Sequence, residues 1–146
     1  MRRLGPVLEF MRALWALDHA LQSASKRMEA SFGVTAPQRI VIRIVGRFPK
    51  ISAGELAEIL HLHPSTLTGV LRRLEARGMV ARAADPRDGR RALLTLTARG
   101  RKVDALRTGT VESAVRRVLT DLPLGAAQSA RALADRLAAE LDELGG

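Results

Sequence analysis

Apolar residues recur at helical spacing over the first thirty positions of the chain. Four of them stand seven residues apart, namely Val7, Leu14, Leu21 and Met28. Seven residues are nearly two helical turns, so such a set lies on one face of a helix. The pattern runs from Pro6 to about Phe32, where Gly33 follows as a typical end signal. It predicts one long amphipathic helix.

Two local start signals predict the next two helices. Thr35 is followed three residues later by Gln38, and Ser52 is followed three residues later by Glu55. At this spacing the hydroxyl accepts from the helix backbone, and the longer side chain accepts from the N–H of the cap residue, which is the capping box. The β-branched run 40–45 would also suit a strand, but the start signal favours a helix.

A further helix is predicted after a connection of only three residues, 61–63. Pro64 suits a first helical position, and Gly78 suits the position after the last turn. One face of this helix is apolar. The other face is polar and basic, and it carries Ser65, Thr66, Thr68, Gly69, Arg72 and Arg73. Two helices joined by so tight a turn, the second with a cationic face, predict a helix-turn-helix.

A β-hairpin is predicted next. The segments MVARA (79–83) and ALLTLT (92–97) favour strands, and they flank the loop ADPRDGRR (84–91). In that loop Asp-Pro fixes the start, and Gly89 permits the reversal. A hairpin that directly follows a helix-turn-helix is a wing.

The rest of the chain is predicted to be helical, which makes the fold mainly α with a small β-hairpin wing. One helix begins at Thr97 and runs to a break near Pro123. The last helix covers residues 126–144. It bears a leucine stripe made of Leu133, Leu137, Leu141 and Leu144.

Basic charge is concentrated in the middle of the chain. The 146 residues carry a net charge of +9, and residues 61–102 alone hold ten basic and three acidic side chains. Residues 103–146, by contrast, hold five basic and seven acidic side chains. A cationic region of this kind indicates a polyanionic partner. A well-solvated charged surface is the alternative.

Composition excludes several classes of protein. A hydrophobic content of 47% excludes a disordered tail, and no window approaches the ~20 apolar residues of a membrane span. The absence of cysteine excludes disulfides and thiolate metal sites, and it suits the cytoplasm. His61 and His63 stand two apart, but without further ligands no metal site is expected. No phosphate loop or nucleophile motif is present, so neither a cofactor nor enzymatic activity is expected.

The segment SAGELAEILHLHPSTLTGVLRRLEARGMVARAADPRDGRRALLTLTARG (52–100) resembles the DNA-binding region of the MarR family of regulators. Its most specific part is DPRDGRR, followed by a strand that ends Leu-Thr and then by x-x-Gly. His63 departs from the pattern, because a small capping residue such as Asp is expected there. The resemblance implies a homodimeric winged helix-turn-helix regulator, expected to act as a repressor, that binds a near-palindromic operator in double-stranded DNA.

The residues and the resemblance predict the same mode of contact. Helix 64–77 would lie in the major groove with its polar face on base edges and phosphates. Arg90 resembles the wing-tip arginine that family members insert into the minor groove, where the negative potential attracts a guanidinium group. Arg87 and Arg91 are assigned to phosphates. Asp88 is assigned to an ion pair with a neighbouring arginine that supports the wing.

Two apolar stripes at opposite ends of the chain, 7–28 and 133–144, are not needed by a winged helix. We expect them to pack together and against the same elements of a second chain; a cap within one chain is the alternative. The predicted organisation is therefore dimerisation helices at 1–32 and 103–146 and a winged helix-turn-helix at 34–102.

Family members commonly bind a small molecule between the dimerisation helices and the winged helix. Trp15 and His19, one turn apart, are the candidates on the first helix, and Arg43 is the candidate on the second. Together they would suit a small aromatic or anionic effector. The alternative places Trp15 in the core and leaves His19 partly exposed.

Three functions stay open at this point. The leading one is a sequence-specific regulator that an effector releases from its operator. A non-specific architectural DNA-binding protein would also suit the basic charge. A winged helix that binds an acidic protein partner is the third. One protected palindrome would favour the first, uniform coverage of DNA the second, and a lack of salt-dependent DNA affinity the third.

Overall fold

The structure, a computed structural model, describes residues 2–145. They fall into two units, one that ends at Val111 and one that begins at Glu112. The helices of the described residues are α1 Pro6–Phe32, α2 Ala36–Arg47, α3 Ala53–Leu60, α4 Pro64–Ala76, α5 Ala98–Asp104, α6 Val111–Thr120 and α7 Ala126–Glu143. The strands are β1 Ile51–Ser52, β2 Val80–Asp85 and β3 Asp88–Leu96. Among the described residues no helix is long and apolar enough to cross a membrane. The predicted fold class is confirmed.

The predicted capping boxes are present and begin α2 and α3. The Thr35 hydroxyl accepts from the backbone N–H of Gln38 at 3.3 Å, and Gln38 Oε1 accepts from the N–H of Thr35 at 3.0 Å. Ser52 and Glu55 make the same two bonds, at 3.1 and 3.4 Å. α1 ends at Gly33, whose φ of 78° is a left-handed conformation that glycine adopts without strain. The predicted limits of these helices are confirmed. The sequence could predict them because each signal acts between residues that are close in the chain.

The core of the first unit lies where α2, α3 and α4 pack with the sheet. Its buried members include Val34, Val41, Ile42, Val45, Leu56, Leu67, Leu71, Leu74 and Leu94. α4 contributes to this core at a spacing of three and four residues, which is one face of a helix. Burial of that face fixes the rotation of α4, so its polar face is turned to solvent.

A third strand, β1, joins the predicted hairpin, and the sheet has the antiparallel order β1-β3-β2. Ile51 pairs with Leu94, and Ser52 pairs with Leu93. Ser52 therefore ends a strand and caps α3, which ties the start of α3 to the wing. A strand of two residues is too short to show the alternation from which strands are predicted.

The wing turns more tightly than the sequence predicts. β2 and β3 pair in regular register as far as Ala84 and Ala92, and after a register shift a last pair joins Asp85 to Asp88, so only Pro86 and Arg87 connect the strands. Gly89 lies within β3, and its φ is not in the left-handed region. The prediction that the chain reverses at Gly89 is wrong, whereas regular pairing ends at Ala84 and Ala92, at the limits predicted for the loop.

The predicted helix from Thr97 to near Pro123 is interrupted. Its start is confirmed, since the Thr97 hydroxyl accepts from the N–H of Gly100 at 3.1 Å. α5 nevertheless ends at Asp104, and α6 begins only at Val111. The continuous apolar spacing that predicted one helix is therefore misleading between 105 and 110.

Tertiary contacts explain where α5 stops. Arg39 on α2 is only 3% exposed, and its guanidinium group donates to the carbonyl oxygens of Val103 and Leu106, the second at 2.6 Å. Arg43, one turn further along α2, donates to the Asp104 carboxylate at 2.7 Å. Carbonyls at the end of α5 thus find partners outside the helix, which favours termination there.

Much of the two predicted apolar stripes faces solvent in the single chain. On α1, Val7 is 70% exposed and Leu21 is 42% exposed, whereas Met28 near the end of the helix is buried. In the second unit Leu141 is 50% exposed, and α7 buries none of its residues. Exposed apolar stripes of this length mark surfaces suited to association.

Candidate nucleic-acid interface

The solvent-facing side of α4 carries the polar residues that the sequence predicts there. Its exposed members are Ser65, Thr66, Thr68, Arg72 and Arg73. Gly69 lies among them, and nothing comes within 4 Å of the position that its β-carbon would occupy. A helix passing another surface can therefore approach most closely at Gly69.

The amino end of α4 is open to ligands. His63 provides no side-chain cap, and Pro64 has no N–H. The first N–H that is bonded within the helix is that of Leu67, which donates to the carbonyl oxygen of His63 at 3.1 Å. The N–H groups of Ser65 and Thr66 come before it, so they remain available for an anion or a base edge. Thr68 donates its hydroxyl proton to the carbonyl oxygen of Pro64 at 2.8 Å. Its hydroxyl oxygen is consequently presented as an acceptor.

Two wing arginines are bound to glutamates on the neighbouring helices. Arg82 Nε lies 2.8 Å from Glu75 Oε1 at the end of α4. Arg91 Nη2 lies 2.8 Å from Glu55 Oε1 at the start of α3. These ion pairs connect β2 to α4 and β3 to α3, one on each strand of the wing.

Two other wing arginines present their guanidinium groups to solvent. For Arg87 and Arg90 the bonds seen within residues 2–145 involve the backbone N–H, which donates to Asp85 Oδ1 at 2.9 Å and to Asp88 Oδ1 at 3.1 Å. The sequence predicts that Asp88 pairs with a guanidinium group, but its carboxylate instead holds the main chain of the turn. Asp88 supports the wing by that bond.

The order of the arginines along the wing differs from the prediction. Arg87 occupies the two-residue connection itself, whereas Arg90 lies in β3, beyond the turn. The residue at the tip is therefore Arg87, and Arg90 lies in the irregular part of β3 that follows the turn. The positions of both arginines follow from the two-residue turn, which the composition of the segment did not predict.

A hollow of about 400 Å³ separates the start of α3 from the wing. Glu55 and Glu58 line it on the helix side, and Arg82, Arg90 and Arg91 line it on the wing side. The sequence predicts no role for Glu55 beyond its capping box, and none for Glu75. No local signal could reveal either, because their arginine partners lie 36 and 7 residues away.

The three candidates for effector contact are placed differently. Trp15 and His19 are exposed on α1, so the expectation of a core Trp15 is wrong for the single chain. Arg43 is engaged with Asp104. The hollow beside the wing and a second one, of about 340 Å³ around Phe48, are lined by other residues.

The structure offers little for a metal ion. Among residues 2–145 no group of three or more His, Asp or Glu side chains is arranged to hold one. His61 occupies a left-handed position with φ of 51° at the end of α3, and His63 precedes α4. Both histidines lie in the turn between the two helices of the helix-turn-helix.

Comparison with known proteins agrees with this architecture. A sequence model of the MarR family matches residues 32–91, which run from the end of α1 through the helix-turn-helix into β3. The HTH-type transcriptional repressor Rv2887 of Mycobacterium tuberculosis is 39% identical over 90 residues, which are 62% of this chain and 65% of that protein. The HTH-type transcriptional regulator TtmR of Methylorubrum extorquens is 36% identical over 136 residues, 90% of this chain and 65% of that protein. The chain thus spans just under two thirds of the length of these relatives.

A solved structure extends the likeness to the full architecture. The PcaV transcriptional regulator of Streptomyces coelicolor, determined in complex with its natural ligand, superposes with a TM-score of 0.73 at 25% identity. The match covers 94% of this chain and 97% of that one. The family model, the relatives and the fold agree that this chain is similar to the transcriptional regulators of the MarR family.

Proposed function

We propose that this protein is a transcriptional regulator that binds double-stranded DNA in a sequence-specific manner. One observation carries the proposal: the polar face of α4 and the solvent-facing guanidinium groups of Arg87 and Arg90 are all exposed on the same unit of the chain. The names of the relatives, a repressor and a regulator of transcription, support it. A regulator of this kind acts on the chromosome, and we place it in the cytoplasm.

In this proposal α4 reads the major groove. A helix fits that groove, which is ~12 Å wide, and side chains near its amino end reach base edges. Ser65 and Thr66 supply hydroxyl groups and free backbone N–H groups, and Thr68 supplies an acceptor. Gly69 allows close approach. Arg72 and Arg73, one turn later, reach a guanine edge or a phosphate.

The wing supplies contacts that depend on groove shape and charge. Arg90 enters the minor groove, where a narrow A·T-rich segment concentrates negative potential. Arg87, at the tip, neutralises a phosphate. Arg91, which the sequence assigns to a phosphate, is bound to Glu55 in the structure and is not counted among these contacts. Asp88 keeps the turn in shape through the N–H of Arg90.

We further propose that the active species is a homodimer on a near-palindromic operator. The exposed stripes of residues 7–28 and 133–144 would be buried against a second chain, and residues 1–32 and 103–146 would serve as the dimerisation helices. Two-fold symmetry would then repeat the winged helix-turn-helix of residues 34–102 about one DNA turn, ~34 Å, away. An inverted repeat is the DNA sequence that such symmetry requires.

Release by a small molecule completes the proposal. The solved PcaV complex holds a natural ligand, which supports an effector for this chain as well. Trp15, His19 and Arg43 are the proposed contacts, and their chemistry suits a small aromatic or anionic compound. Since Trp15 and His19 are exposed in one chain, an effector would contact them most fully once a dimer encloses α1.

Selection of bound duplexes from random DNA at moderate salt tests the proposal. We expect one inverted repeat for the wild type. Ser65→Ala with Thr66→Ala should relax the preference at one or two positions of each half-site, and discrimination at each such position should fall by about 1–3 kcal/mol. Thr108→Ala, which removes an exposed hydroxyl outside α4, should leave the motif unchanged. Enrichment of no motif would instead support an architectural DNA-binding protein, and failure to bind any duplex would support a protein partner.

A further inference from the structure

The two oxygens of the Glu55 carboxylate accept hydrogen bonds from two different groups. Its Oε2 accepts from the N–H of Ser52 at 3.4 Å, which completes the capping box of α3. Its Oε1 accepts from Arg91 Nη2 at 2.8 Å, across the hollow between α3 and the wing. The capping box anchors the carboxylate to the start of α3, so Glu55 stays beside the wing whether or not Arg91 is bound to it.

The pairing distinguishes Arg91 from its neighbours on the wing. Arg87 and Arg90 present their guanidinium groups to solvent, while the guanidinium group of Arg91 is oriented toward an acid. The Arg91 side chain is 47% exposed and that of Glu55 is 54% exposed, so the pair lies at the surface that would face DNA. Ion pairs exposed to this degree are weak and can be rearranged by a local change of charge.

We infer that Glu55 limits the affinity of the protein for DNA by holding Arg91 away from the phosphate backbone. Arg91 could contact a phosphate only after it leaves Glu55, whereas the guanidinium groups of Arg87 and Arg90 can contact DNA directly. This inference rests on the proposed DNA-binding function and assigns that function an affinity-limiting residue. Such a residue weakens binding to any duplex, so that occupancy depends more strongly on the bases that α4 reads.

The matched pair of variants Glu55→Gln and Glu58→Gln tests the inference. Both remove one negative charge from α3 beside the same hollow, but no ion pair of Glu58 is seen among the described residues. Glutamine can still accept from the N–H of Ser52, so the capping box survives in Glu55→Gln. Thermal unfolding should therefore give similar midpoints for the two variants and the wild type.

Affinity is measured for one non-specific duplex over a range of salt concentrations. We expect Glu55→Gln to bind about three- to tenfold more tightly than Glu58→Gln and to steepen the slope of log K against log salt by ~0.9 per protomer. Arg91→Ala should change the slope little in the wild type, yet it should abolish the gain in the Glu55→Gln background.

The inference is overturned if Glu55→Gln and Glu58→Gln behave alike, or if Arg91→Ala alone lowers the slope as much as Arg90→Ala does. Both results would leave the proposed DNA binding intact. Absence of salt-dependent binding by the wild type would overturn the proposed function and this inference together.

Discussion

Gly100 lies against the main-chain carbonyl of Met79, so closely that a β-carbon on Gly100 would be less than 3.0 Å from that oxygen. The same oxygen accepts from the N–H of Thr97 at 3.1 Å. The first turn of α5 is therefore pressed against the chain where it enters the wing. The glycine in the Leu-Thr-x-x-Gly pattern is required by this close approach, and its helical backbone alone would not demand it.

Gly100→Ala should consequently destabilise the protein. The added methyl group must displace either α5 or the start of β2, and we expect the free energy of unfolding to fall by about 1–3 kcal/mol or more. Urea denaturation measures the change. Gly89→Ala is the control, because nothing lies within 4 Å of its β-carbon position and its φ is accessible to alanine. Equal losses in the two variants would contradict the close approach.

Arg39→Met should also lower stability, since it removes the donors that bind the carbonyls of Val103 and Leu106 from a buried position. We expect a loss of about 2–4 kcal/mol, and faster hydrogen exchange at the end of α5. Arg47→Met is the control, because it makes the same substitution at an exposed position of the same helix. It removes only a cation–π contact, 5.7 Å from the Phe48 ring, and should cost less than about 1 kcal/mol. Comparable losses would contradict a special role for Arg39.

Arg90→Ala should weaken binding to DNA and reduce its dependence on salt. If Arg90 makes one phosphate or minor-groove contact in each protomer, its removal makes the slope of log K against log salt shallower by ~0.9 per protomer. Titrations at several salt concentrations give this slope. Arg131→Ala, an equal change of charge at an exposed position of α7, should leave it unchanged. A slope that responds equally to both variants would mean that only net charge matters.

Leu141→Glu should convert a dimer to a monomer. Leu141 is half exposed on the apolar stripe of α7, and a carboxylate there would be buried without a partner in a dimer interface. Sedimentation velocity should show the mass of one chain, and operator affinity should fall by on the order of 10²-fold because the half-sites are no longer linked. Ala139→Glu introduces the same side chain on the opposite face and should stay dimeric. A wild type that sediments as a monomer would refute the proposed assembly.

The candidate site was predictable to the extent that it depends on one helix. The polar face of α4 follows from the alternation of Leu67, Leu71 and Leu74 with hydroxyl and basic residues, because a helix repeats on a fixed period. The wing was predictable only as a region. Its arginines are visible in the sequence. Which of them form ion pairs and which are open to solvent depends on Glu55 and Glu75, and only the fold brings these two glutamates close to the wing.

The sequence by itself determined where most helices begin and end. Thr35, Ser52 and Thr97 accept from backbone N–H groups three residues away, and Gly33 provides a left-handed end, so each signal acts within one turn. Only the tertiary structure decided the strand β1, the interruption after Asp104, and which arginines are open to solvent. Those features depend on hydrogen bonds and ion pairs between residues far apart in the chain, whose energies are set only when the elements meet.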